Sequence, residues 1–245
     1  KTIYMYNYEF DNFDWLEFSD LSFPVIIKPI DEAHGNGVCM NIISILELQK
    51  KLKISFSLYP KMIIQEQISG DECRVLVVLW QVIVAYNRIP PSIVWDGYST
   101  VRQLIDYENI NNPLRQEDYY APLSLILSDN ELVDFIDKQW YWLNSILQKW
   151  IELQVRWNSN MGTGGIAKDM THIIHDDIKK LCLDVANKLN LSICWVDILA
   201  TDFTKPLHES WGVILEVNRT PWIGGNRELT AVNSGREILR KLFNI

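Results

Sequence analysis

The chain has 245 residues, 48% of them apolar and 22% charged, with a net charge of −8. That much apolar sequence supports a substantial core in one large domain or two lobes, and it excludes a disordered or fibrous polypeptide. The acidic balance argues against sequence-independent nucleic-acid binding, which needs clustered Lys and Arg to displace counterions from phosphates.

Along the chain, residues 23–30 read as an apolar strand carrying one cation, Lys28, and they run into a segment with glycines at Gly35 and Gly37. A lysine at the end of an apolar strand is costly without an anion, and alternate glycines let backbone amides close around phosphate oxygens. The spacing is neither GxxxxGK[ST] nor GxGxxG, so taken alone it also fits a solvated lysine before an ordinary turn. Residues 42–52 read as a short helix. A strand over 62–68, a bend at Gly70 and apolar runs at 75–79 and 82–86 read as a hairpin connected at Trp80-Gln81, a poor pair for a type I′ turn. The span 105–120, with Asn111-Asn112-Pro113, reads as an irregular insertion.

Residues 130–150 should contain a helix rich in tryptophan, with those aromatics in the core. The segment 158–165 carries Gly162, Gly164 and Gly165 and reads as a mobile loop able to approach a ligand. Ile178, Leu181, Cys182, Val185 and Leu189 follow the 3.6-residue period of a helix with one buried face, and a strand begins at Leu191. No repeat or low-complexity tract interrupts this alternation. It implies an α+β fold with mixed or antiparallel sheets in two lobes, 1–68 and 69–245.

Near the end, Asp197 lies in one apolar run, and Glu216 and Asn218 close another that starts at Trp211. Residues i and i+2 of a strand share a face, so Glu216 and Asn218 project together, with Asp197 supplied by a neighbour. Two carboxylates and a carboxamide suit Mg²⁺, which takes one or two carboxylates and leaves other positions to water and phosphates. Taken alone, such residues at a strand end more often only meet water.

The longest apolar stretch, residues 75–86, is broken by Gln81 and falls short of the roughly 20 residues that cross a bilayer. The acidic N-terminal segment is no signal peptide. Cys39, Cys73, Cys182 and Cys194 show no CxxC and suit reduced thiols. His172 and His175 have no cysteine near them for a zinc site. The expectation is a soluble, cytoplasmic protein that partners neither membrane nor nucleic acid.

The ordered strings FPVIIKP, GNGV, QEQISGDECRV, NRIPP, WDGYSTVRQLI, NNPLRQEDYYAPL, NSNMGTGG, AKDMT, WVDI and ILEVNRTP resemble the ATP-grasp ligases along almost the whole chain. The resemblance points to the group containing cyanophycin synthetase and the ATP-grasp half of the bifunctional glutathione-forming ligase. It implies two α+β lobes gripping ATP and an ADP-forming ligase that joins a carboxylic acid to an amine through an acyl phosphate. Lys28 matches the lysine on the α-phosphate, and Gly35 and Gly37 match the small-lobe glycines. Glu66, Gln67 and Ile68 match the segment that meets adenine, and Glu72 matches the carboxylate on the ribose hydroxyls. Asp197, Glu216 and Asn218 match a site for two magnesium ions, with manganese as the alternative metal. Arg74 and Arg88 match arginines near the transferred phosphoryl group or the acyl substrate, and Asn160, counted with them as catalytic, opens the loop 160–165, with Gly164 and Gly165, that looks like the segment closing over the triphosphate.

Other outcomes of the same fold are a phosphotransferase that stops at the phosphorylated product, or a non-catalytic ATP-binding module. The chain departs from its group in several ways. It begins at Lys1, close to the Lys28 strand, where relatives have a preceding domain, so it reads as one module of a longer protein that would form homo-oligomers through its other parts. Trp195 and Trp222 stand where relatives have glycine, adding bulk near the site, and residues 223–229 replace a histidine-containing tail.

Overall fold

The computed structural model describes residues 1–32, 37–117, 121–219 and 234–243. The chain divides into two compact units, Lys1–Ile68 and Ser69–Ile245.

The first unit is a four-stranded antiparallel sheet with one covered face. Its strands are β1 (Thr2–Tyr6), β2 (Val25–Pro29), β3 (Cys39–Ile42) and β4 (Lys61–Glu66), in the order β1-β4-β2-β3. Between β3 and β4 lies α1 (Ile45–Ser55), whose N-cap Ser44 accepts from the Glu47 amide at 3.3 Å. Alternation along the strands sends Met5, Val25, Ile27, Met62 and Ile64 inward against Leu48 and Leu52 of α1 and against Phe18. It leaves Lys28, opposite Ile63 on β4, on the other face. Strand β1 and the short 3-10 turns after it carry no strong sequence signal. They hold their place through apolar contacts of Phe10, Phe13 and Trp15 with this core.

The second unit is built on the antiparallel sheet β11-β6-β5-β12-β13. Its long hairpin joins β5 (Asp71–Val78) to β6 (Gln81–Ile89). The connecting residues are Leu79 and Trp80, both with positive φ, 45° and 60°. The turn therefore sits one residue before the expected Trp80-Gln81, and a bulge between Leu76 and Val77 resets the register so that Glu72 faces Arg88 and Arg74 faces Tyr86. Residues with a Cβ adopt this strained turn because the strands on either side are fixed by burial, which outweighs local preference.

An insert follows β7 (Ser92–Val94). Helix α2 (Val101–Asn111) runs into the span expected to be irregular, capped by Thr100 and Gln103, with Val101 and Ile105 buried one turn apart. The short strands β8 (Arg115–Gln116) and β9 (Leu123–Ser124) pair in parallel. Helix α3 (Asn130–Asp137) buries Leu132 and Ile136. It contains no tryptophan. Trp140, Trp142 and Trp150 lie beyond it and are 83%, 63% and 76% exposed, which corrects the expectation of an aromatic core there. The core of the insert is mainly aliphatic, packed around Trp95, while Trp140, Trp142 and Trp150 lie in the irregular segment after α3.

The remaining elements are β10 (Glu152–Gln154), β11 (Ile166–Asp169), α4 (Asp176–Lys188), β12 (Ile193–Ala200), β13 (Val213–Asn218) and α5 (Ser234–Phe243). Helix α4 buries Ile178, Cys182 and Ala186 on one face of the large sheet, against Cys73, Val75, Val77, Cys194 and Val196. All four cysteines are free thiols. Among the described residues no helix is long and apolar enough to cross a membrane.

Candidate functional site

Because α4 covers one face of the large sheet, the alternate residues of β5, β6, β12 and β13 meet on the other. Asp197 lies opposite Arg74 on one side and Glu216 on the other, and Glu72 lies opposite Arg88. Sheet register thus assembles residues far apart in sequence into one charged row. Arg74 grips Asp197 with two parallel donors: Nε donates to Oδ1 at 2.7 Å, and Nη2 pairs with Oδ2. Arg88 Nη1 lies 2.8 Å from Glu72 Oε1 and 3.8 Å from Asp197 Oδ2. Arg74 Nη2 is 3.8 Å from Glu216 Oε1, which accepts from Asn218 Nδ2 at 2.8 Å. Beneath the row, Trp195 and Tyr86 meet edge to face at 5.4 Å between ring centroids. Trp195 is 1% exposed, so its bulk fills the apolar floor with Leu76 and Ile238.

Burial governs the charge state of this row. It pushes the Asp197 carboxyl up to about 6; Arg74 pulls the other way, and the hydrogen bond shared with Glu216 adds to the rise. Burial also acts to raise Glu216, but the hydrogen bonds from Asn218 and Asp197 outweigh it and leave this carboxyl below its usual range. Burial opposes the charge on Arg74, yet the contact with Asp197 holds the guanidinium firmly protonated.

The glycine-rich loop reaches the row through a residue not singled out from the sequence. Ser159 Oγ donates to Glu72 Oε2 at 2.5 Å, and its carbonyl accepts from Arg88 Nε at 3.4 Å. Both carboxylate oxygens of Glu72, expected on ribose, are thus engaged here. Asn160 instead caps the turn that follows it, its Oδ1 accepting from the Gly162 amide at 3.0 Å. Ser159 lies next to Asn160 in the NSN string, and only the backbone path of the loop shows which of the two side chains turns toward the sheet. Gly164 has φ 105°, and a Cβ there would come within 2.7 Å of Ile126 Cα. One on Gly165 would come within 2.5 Å of the Ser159 carbonyl oxygen. The loop is built to close on itself.

In the first unit, the Lys28 ammonium has no ion pair or hydrogen-bond partner among the described residues. Glu66 accepts from the Ser22 amide at 3.0 Å. Gln67 exchanges hydrogen bonds with Asn41, at 2.7 Å from the Asn41 amide and 2.8 Å to its Oδ1. The side chains of Glu66 and Gln67 therefore brace the end of β4, and Ile68 follows exposed. Gly37 adopts φ 71°, while Gly35 and Trp222 lie outside the described residues.

No family model matches the chain. Over 205 residues it is 35% identical to a cyanophycin synthetase of Synechocystis sp., an overlap of 81% of this chain and 23% of that protein. Over 199 residues it is 32% identical to the glutathione biosynthesis bifunctional protein GshAB of Listeria innocua, which covers 80% of this chain and 26% of that one. A solved bifunctional glutathione synthetase from Pasteurella multocida superposes on 100% of this chain and 33% of its own, with a TM-score of 0.67 at 22% identity. The chain has the ATP-grasp fold. It spans about a quarter of the length of the curated relatives it matches.

The chemistry of the acidic end of this ATP-grasp domain suits a hard cation. Asp197 and Glu216 lie opposite each other on adjacent strands, and Arg74 Nη2 reaches both, so the two carboxylates face one side of the sheet where a divalent ion could be held. Asn218 adds a neutral oxygen on the same face. Arg74 already occupies both oxygens of Asp197, so a cation here would share that carboxylate with the guanidinium.

Proposed function

We propose that this ATP-grasp domain carries the ATP site of an ADP-forming ligase that joins a carboxylic acid, or a peptide with a free carboxylate, to an amine. The observation that carries this reading is the row Glu72, Arg74, Arg88, Asp197, Glu216 and Asn218 on one sheet face, which sets two guanidinium groups beside three acids and an amide. Sequence relatives in two ligase groups support it.

In the proposed reaction, a substrate carboxylate oxygen attacks the γ-phosphorus, the bond to the β–γ bridging oxygen breaks, and an acyl phosphate and ADP form. The amine nitrogen then attacks the acyl carbon, phosphate leaves, and the nitrogen loses a proton to give the amide. Asp197, Glu216 and Asn218 would hold magnesium, as two ions with manganese as the substitute, and the metal supplies charge that offsets the phosphate oxygens. Arg74 and Arg88 answer negative charge that develops on the transferred phosphoryl group or the acyl oxygens, where a guanidinium binds two oxygens at once. Phosphoryl transfer asks the protein mainly for position and charge, which accounts for a site without a Ser/His/Asp or Cys/His set. Lys28 is assigned to an α-phosphate oxygen, and Asn160, Gly164 and Gly165 to the loop beside the triphosphate. The adenine segment 66–68 and the glycines Gly35 and Gly37 complete the assignment. Reduced thiols and an acidic surface suit a cytoplasmic setting.

The test is ADP release with magnesium, using γ-glutamyl or aspartyl peptides as acids, with and without an added amine. Release that depends on the amine supports the ligase. Release independent of it identifies a phosphotransferase, and none with any acid identifies a binding module.

A further inference from the structure

Arg115 comes from the NNPLRQEDYYAPL string, a motif that the charged row leaves without a task. Its side chain is only 3% exposed. A buried guanidinium must place its donors, and Arg115 spends them at a junction of three segments. Nε donates to Glu108 Oε1 on α2 at 3.0 Å, and Nη1 donates to the carbonyls of Ser124 on β9 at 2.8 Å and of Gly164 at 2.9 Å. Beside it, Asn109 of α2 holds both backbone groups of Ile126, at 2.8 Å to the amide and 3.0 Å to the carbonyl. Ile126 is the residue against which Gly164 packs.

From there the chain of contacts runs to the row. The Gly165 amide donates to the Asn160 carbonyl at 3.1 Å, and Gly165 lies so close to Ser159 that a Cβ would strike its carbonyl. Ser159 in turn holds Glu72 and Arg88. The position of Ser159 thus depends on where Gly164 is pinned, and the Arg115 guanidinium does the pinning.

We propose that Arg115 is a positioning residue for the charged row: through the Gly164 carbonyl it fixes loop 158–165 so that Ser159 sets the Glu72–Arg88 pair. Its effect on turnover rests on the ligase reading, while its effect on the loop does not. A buried arginine that only glued α2 to β9 would leave the loop and the row indifferent to its loss. A geometric error of about 1 Å near a reacting centre costs roughly a hundredfold in rate, so a small slip of this loop should be visible in turnover.

The experiment compares wild type with Arg115→Lys, Arg115→Met and Glu108→Gln in the full chain. Amide exchange, thermal melting, Mg·ATP affinity and ADP release are measured on each. The proposal expects Arg115→Met to speed exchange in residues 158–165 by tenfold or more while α4 and the β5–β6 hairpin keep wild-type protection. It expects kcat to fall at least tenfold with Mg·ATP affinity within about threefold. Arg115→Lys keeps one charged donor and should recover part of both effects. Glu108→Gln leaves the carbonyl bonds in place and should keep wild-type exchange in the loop. Wild-type loop exchange in both Arg115 variants would overturn the proposal, as would a kcat loss in Glu108→Gln equal to that in Arg115→Met. If Arg115→Met does not fold, Arg115→Lys against Glu108→Gln decides. If wild type itself neither binds Mg·ATP nor releases ADP, the ligase reading falls, and the exchange comparison still decides whether Arg115 sets the loop.

Discussion

A carboxylate as buried as Asp197 needs its charge answered, and Arg74 supplies two parallel donors for it. Replacing Arg74 by Met should cost about 2 to 3 kcal/mol in urea unfolding at pH 8, a figure reduced because the guanidinium is partly exposed. Below pH 6 the deficit should narrow, since Asp197 then takes up a proton and no longer strands a charge. In the intact protein the sign follows from the same group. Its folded-state value, about 6, lies above its ordinary 3.8, so the native state holds the extra proton between these values. Its contribution to stability is full below about pH 4 and is lost as pH rises through 6. Metal binding runs the opposite way, because the ion needs the ionised acid. Magnesium affinity should rise from pH 5 to pH 7 with proton release, read by calorimetry in two buffers of different ionisation heat. Affinity flat across that range would remove Asp197 from the metal site.

At the scale of elements, helix α4 and strand β12 were legible because their periods are strong and each buries one face. Helix α2 was missed because its apolar positions are few and its polar surface, with Asn111-Asn112-Pro113 at the end, resembles a loop. The tryptophans of 140–150 misled because hydrophobicity alone does not say which way a turn points. The row itself was half legible. Alternation within a strand predicts that Glu216 and Asn218 share a face, but only cross-strand register brings Arg74 to Asp197 and Arg88 to Glu72. Ser159 was out of reach, since its role depends on a loop path. That loop is held at both ends, by Glu131 on Asn158 Nδ2 at 3.1 Å and by Arg115 on Gly164. Its middle, residues 160–163, is tied mainly by its own short-range bonds. Exchange there should therefore be faster than at the ends and should slow when ATP and magnesium are added. Equal exchange with and without nucleotide would end the assignment of this loop to the triphosphate.

For the molecule as a whole, the ordered set of short strings carried the fold further than any single motif. No string is distinctive alone, yet their order of strand, glycine loop, hairpin, insert and acidic strand ends pointed to the ATP-grasp fold that the chain has. Strand β1 escaped this reading because it joins the sheet by backbone pairing with β4, with Met5 in the core, and no motif marks it. The proposal gives Lys28 and Glu216 separable contributions to ligand affinity. The Lys28 ammonium has no partner among the described residues and, in the proposed site, would offer its charge to a phosphate whether or not a metal is present. Glu216, at 58% side-chain exposure, sits at a strand end where Gln preserves shape and removes only the charge. Lys28→Ala should thus weaken ATP binding roughly tenfold or more both with magnesium and in EDTA, the loss expected for one charge-assisted contact. Glu216→Gln should leave the EDTA titration unchanged, remove most of the gain that magnesium brings, and shift the melting temperature little. Calorimetry of the four combinations separates these effects. Wild-type affinity in Lys28→Ala would remove that lysine from the phosphates, and an undiminished magnesium effect in Glu216→Gln would return the acidic strand end to a solvated edge.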